Sequence, residues 1–162
     1  MLIRHPRSYT AAELTYYITH NNVSTSTSAT GNYTYLDMTT KLPNSVTIKK
    51  FFVPWWYKTK YTKWSIWQED SSTLYTCRYL QKYDMVVDPA TFTAQDTWID
   101  APVEYTVQST GDFYLGRLDP SPGSVRYFTT ALAKSAYINP VVGTQYTFSA
   151  DNRVFMQGCA YL

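Results

Sequence analysis

Lys49-Lys50-Phe51-Phe52-Val53-Pro54-Trp55-Trp56-Tyr57-Lys58-Thr59-Lys60-Tyr61-Thr62-Lys63-Trp64-Ser65-Ile66-Trp67 is the stretch on which the fold class turns. Its second half alternates. Trp64 and Ile66 fall on one face of a strand and Lys63 and Ser65 on the other, with Lys58 and Lys60 on the outer face of that strand, because successive strand side chains point to opposite sides. Five lysines are interleaved with eight aromatics and no acid. Core and edge packing accounts for much of this, since lysine also guards sheet edges against pairing. Three functional readings stay open beside it. Lysines and flat rings can hold single-stranded nucleic acid, aromatic platforms can hold sugars, and Trp55, Trp56 and Tyr57 at the Pro54 corner can anchor a subunit interface. Lys49, Lys50, Lys58, Lys60 and Lys63 are the accompanying candidates.

Outward from this stretch the same rhythm continues. The 162 residues include 28 aromatics, 16 of them tyrosine, and 36 serines and threonines, a bias toward pleated surfaces and away from helices. Short alternating runs predict strands at about 33–38, 45–53, 60–67, 73–80, 103–107, 112–118, 124–130, 145–148 and 152–161. Prolines at 43, 54, 89, 102, 120, 122 and 140 predict the breaks between them. Residues 82–100 read as a long excursion, and the alanines around 130–135 predict a short helix. The expectation is an all-β, antiparallel sandwich over residues 33–162.

The first thirty-two residues read differently. Thr10-Ala11-Ala12-Glu13 has capping-box spacing, predicting one short helix over about 11–17. Residues 19–32 are polar and aperiodic, so they cannot bury enough apolar area to offset their ordering entropy. Residues 1–32 are therefore expected as an arm that lies on another surface, with Tyr16, Tyr17 and Ile18 as its contact side chains.

Candidate chemistry is sparse. His5 and His20 both lie in the polar arm, with nothing to orient an imidazole. Cys77 and Cys159 are 82 positions apart, which predicts two buried thiols and no zinc cluster. Phosphate loops, nucleophile elbows and calcium loops are not found, so no enzyme, cofactor or metal is expected. Asp96 and Asp100 are the nearest approach to a hydrolytic carboxylate pair. The start of the chain is charged too early for a signal peptide, and no apolar run is long enough for a membrane-spanning helix. Charge is segregated: residues 1–67 carry eight Lys or Arg and two acids, and residues 68–162 carry six and ten. Copies packed basic side to acidic side gain orientation from such a pattern.

The final third, Gly111-Asp112-Phe113-Tyr114-Leu115-Gly116-Arg117-Leu118, the Pro122-Gly123 turn, Val125-Arg126-Tyr127-Phe128 and Asn152-Arg153-Val154-Phe155-Met156-Gln157-Gly158-Cys159-Ala160-Tyr161-Leu162, resembles the closing strands of single jelly-roll coat proteins of small icosahedral viruses. The resemblance implies a jelly-roll-like sandwich with an extended N-terminal arm, located in the virion, made inside the host cell, and partnered by copies of itself and other virion proteins. This arm is rich in Ser and Thr rather than Arg, so nucleic acid is a weaker expected partner, and a capsid, minor capsid, decoration, vertex or tail component all fit. The alternative is a carbohydrate-binding β-sandwich that holds a glycan on Trp55, Trp56 and Tyr57.

Overall fold

The structure, a computed structural model, describes residues 14–18, 33–53, 61–84, 97–118, 127–155 and 157–162. Among these residues there are eleven strands and no helix: β1 Thr15–Ile18, β2 Tyr33–Asp37, β3 Thr47–Val53, β4 Tyr61–Glu69, β5 Leu74–Asp84, β6 Thr97–Thr106, β7 Phe113–Leu118, β8 Tyr127–Tyr137, β9 Gln145–Thr147, β10 Ser149–Phe155 and β11 Gly158–Tyr161. Every ladder is antiparallel. Four strands form one sheet in the order β1-β11-β3-β6, and seven form the other in the order β10-β8-β2-β7-β4-β5-β9.

Eight of these strands pair in a nest. β4 pairs with β5, β3 with β6, β2 with β7 and β1 with β11. The pairs alternate between sheets, so the chain follows a long antiparallel ribbon wrapped over one core. The other three, β8, β9 and β10, fall in sequence between β7 and β11 and widen the larger sheet at both ends.

The alternation expected in β4 is present. Trp64 and Ile66 face the smaller sheet, where they meet Ile48, Phe51, Tyr79, Phe113, Leu115 and Cys159 in one buried cluster. Phe51 stacks on Trp64 at 5.2 Å and on Tyr79 at 5.8 Å between ring centroids, and each such ring contributes roughly 1.5–3 kcal/mol by leaving water. The opposite face of the larger sheet is also buried. Leu36, Trp67, Tyr75, Cys77, Tyr114, Ala136 and Phe148 form a second cluster there.

Phe148 explains the second cluster. It is the single residue between β9 and β10, which end the larger sheet on opposite sides. Two Cα steps span about 7 Å, whereas six strand spacings in a flat sheet would span about 29 Å. The sheet therefore curls until its two ends meet, and Phe148 fills the hollow, edge-on to Trp67 at 4.9 Å and to Tyr75 at 5.5 Å. Lys134 on β8 reinforces the closure by donating to the Ser72 carbonyl beyond β4.

Several expectations are corrected. Residues 15–17 are extended rather than helical, because Thr15–Ile18 pairs in full with Gly158–Tyr161. Residues 130–135 belong to β8, which is paired on both sides by β2 and β10; two ladders outweigh the few tenths of a kcal/mol by which alanine favours a helix. The single strand expected over 152–161 is two strands in different sheets. Between them Gln157 is buried and donates from Nε2 to the Leu115 carbonyl at 3.1 Å, fixing the crossing. Pro102 lies inside β6 rather than ending it, which is tolerated because β6 is an edge strand.

Candidate functional site

The first candidate surface is the outer face and edge of the smaller sheet. In β11, Gly158 and Ala160 are small, and a Cβ at Gly158 would stand 2.5 Å from the Tyr17 carbonyl oxygen and 3.1 Å from the Phe52 Cβ. β1 consequently lies close against β11. Tyr16 leans across these small residues to meet Trp98 edge-on at 4.9 Å, and Trp98 packs on Phe52 at 5.2 Å. Phe52 is buried by this cover, while Tyr16 keeps 46% of its surface exposed.

The two edges of this sheet differ. β6 carries Asp100, Pro102 and Glu104, all of which discourage a further strand from pairing. β1 reads Thr-Tyr-Tyr-Ile with no charge and no proline, and among the described residues it has a partner on one side only. Tyr17 faces inward and donates to Asp37 in the larger sheet. Burial first, and then the Asp37 carboxylate, push its hydroxyl well above the ordinary phenol range.

The second candidate is a cavity with aromatic lining at one end of the larger sheet, with two lysines near Tyr61. Lys63 and Lys82 are directly opposed across the β4–β5 ladder, an arrangement that by itself has a cost for like charges. Both ammonium groups lie over the Tyr61 ring, Lys63 at 5.7 Å and Lys82 at 4.7 Å from its centroid, where the ring's negative face offsets part of that cost. Lys63 Nζ also donates to Asn139 Oδ1 at 2.6 Å. Tyr61, Leu118, Tyr137, Ile138 and Asn139 line a cavity of about 260 Å³ beside them. Tyr137 is 65% exposed and is held by an edge contact with Tyr33 at 5.2 Å.

Of the residues singled out in the sequence, Lys63 is bonded to Asn139 of the cavity lining and Tyr16 lies on the smaller sheet's outer face. Ile18 is half-buried opposite Gly158. Lys49 and Lys50 form ion pairs with Glu104 at 2.6 Å and Asp100 at 2.8 Å, so they tie β3 to β6. Trp55, Trp56, Tyr57, Lys58 and Lys60 lie outside the described residues, as does Asp96. Sequence reading missed Trp98, Lys82, Tyr137 and Asn139. Register is what brings Lys82 to Lys63, and no local pattern encodes it.

Other reactive groups are occupied structurally. Glu69 accepts from the Tyr114 and Tyr75 hydroxyls at 3.1 and 3.3 Å. Cys77 and Cys159 are buried free thiols, each pushed up to about 12 by burial. They sit in separate clusters, Cys77 on β5 of the larger sheet and Cys159 on β11 of the smaller one. Among the described residues no group of three His, Cys, Asp or Glu converges as metal ligands, and no helix is long and apolar enough to cross a membrane. Comparison with family models, with curated proteins and with solved structures finds no match.

Proposed function

We propose that the chain is a virion structural protein, a capsid, minor capsid, decoration, vertex or tail component, built on a jelly roll and acting by self-assembly. The observation that carries this reading is the nested pairing. Strands 4 with 5, 3 with 6, 2 with 7 and first with last, alternating between two sheets, is the order produced by rolling one antiparallel ribbon, and jelly rolls of this kind recur in viral capsid domains. Strands β8–β10 are then an elaboration between the last two strands of the roll.

The uneven edges support the same reading. A protein that assembles needs one surface open to partners and others closed to indiscriminate pairing. Here β6 is guarded by charge and proline, β1 is not, and the aromatic cover of Tyr16 and Trp98 adjoins it. Tyr and Trp at the centre of a contact are the side chains that carry most binding energy.

Light scattering and negative-stain imaging of the full chain test the proposal. Closed particles or a defined ring support it, and a monomer across the whole accessible concentration range defeats it. Jelly rolls also occur in lectins, so a tryptophan fluorescence change with one member of a glycan panel, in a chain that stays monomeric, would favour the carbohydrate-binding alternative.

A further inference from the structure

We infer that the cavity lined by Tyr61 and Tyr137 is a sugar subsite, in which one uncharged pyranose unit of a glycan lies against the tyrosine rings and is oriented by the Asn139 amide. The inference goes beyond the assembly reading and does not depend on it.

Lining chemistry is the first ground. Tyr61 and Tyr137 supply aromatic surface, Leu118 and Ile138 aliphatic surface and Asn139 a carboxamide, with no ionised side chain among these five. A charged ligand would gain no ion pair from this lining. A wholly apolar ligand would cover the amide and the phenol hydroxyls without giving them partners, which costs free energy. A pyranose meets both conditions. The C–H bonds of its ring present an apolar face to a flat side chain, and its hydroxyls donate and accept around the rim. Tyrosine has the matching division, an apolar body with a polar tip, and a mainly apolar lining with a few placed polar groups is what small-molecule sites use for orientation.

Preorganisation is the second. The Asn139 side chain is fixed through Oδ1, which accepts from Lys63 Nζ at 2.6 Å, and its Nδ2 hydrogens remain as donors. The loop that carries it is tied by the Tyr146 hydroxyl, which accepts from the Val141 amide at 3.1 Å and lies 3.5 Å from the Asn139 carbonyl. Tyr137 is braced by Tyr33 yet keeps 65% of its surface open. Tyr61 lies under the Lys63 and Lys82 ammonium groups, and Leu118 is buried. Groups already held in place lose little freedom when a ligand arrives. The cavity, about 260 Å³ and open to solvent, is smaller than the roughly 300–1,000 Å³ of drug-sized sites, so it suits a single ring with the remainder of the glycan outside.

Saturation-transfer difference NMR on the full chain tests the site. The probes are the methyl glycosides of glucose, galactose, mannose and N-acetylglucosamine, with the methyl glycoside of sialic acid as the charged comparison. At least one neutral glycoside should bind, with a Kd on the order of 1 mM for a single ring in an open cavity. Y137A, at an exposed position, should weaken that binding about threefold to tenfold by removing one ring contact. N139A should lose about threefold or more with the amide donor. Circular dichroism should show the parent strand signal in both variants. Silence from all four neutral glycosides, unchanged affinity in either variant, or tighter binding of the sialoside than of every neutral probe would each overturn the neutral-sugar site. Light scattering on the same samples reads assembly independently, so the two proposals fail separately.

Discussion

Tyr17 in the smaller sheet donates a 2.6 Å hydrogen bond to Oδ2 of Asp37 in the larger one, joining the first strand of each. Asp37 is fully buried, and its other oxygen already accepts from the Thr39 amide and hydroxyl. Removing the phenol alone would leave a carboxylate oxygen buried without its donor, which costs about 1–3 kcal/mol, more when the group is charged. Y17F should therefore lower the urea midpoint by an amount in this range, and Y17F/D37N should recover part of the loss.

Tyr16, one residue earlier, points outward and should behave in the opposite way. Changing it to lysine places a charge on an exposed edge strand, and should reduce particle or oligomer formation in light scattering severalfold while costing only about 0.5–1.5 kcal/mol of stability, the worth of its edge contact with Trp98.

At Gly158 the obstacle is backbone, since an added Cβ would meet the Tyr17 carbonyl oxygen at 2.5 Å. G158A should push β1 from β11, and hydrogen exchange should show faster exchange at 15–18 while β4, β5 and β7 keep their protection. Equal exchange throughout would mean that β1 is not separable from the rest.

The ionisable groups predict the pH profile. Asp151 is held below the ordinary carboxylate value: burial opposes this, but Arg153 and the Ser135 hydroxyl outweigh it. The folded chain thus holds its proton less tightly than the unfolded one, so this stabilisation is present above about pH 4 and is lost as pH falls toward the lower folded value. Cys77 and Cys159 are displaced upward from 9.0 to about 12. The unfolded chain releases those protons first, so stability should fall as pH rises from about 9. Thermal denaturation across pH should show both flanks, with D151N flattening the acid one. At pH 8 a thiol reagent should label neither cysteine until the protein is unfolded.

Much of the sandwich was legible from period-two alternation, because Trp64 and Ile66 against Lys63 and Ser65 encode a face directly. The errors arose where local propensity met long-range pairing. Thr15–Ile18 follows a good helix start, yet an edge of β11 awaits it; the alanines of β8 suit a helix, yet that strand is paired by β2 on one side and β10 on the other, with Ala133 in both ladders. The curl of the larger sheet could not be read at all, since Phe148 looks like any strand residue until its neighbours are known to lie at opposite ends. Lys63 was singled out for its segment, whereas Lys82 and Tyr137 depend on register and on a loop returning over the sheet.

The nest of ribbons also sets an order of events. The β4–β5 hairpin can close locally, but Thr15 must find Tyr161 across nearly the whole chain, and loop-closure entropy makes that the last zip unless inner ribbons shorten the gap first. Until it happens β11 presents a vacant flank that the β1 of a neighbouring molecule fits as well as its own. Crowded newly made chains are thus set to exchange their first strands, and dilution during refolding should govern whether each molecule keeps its own.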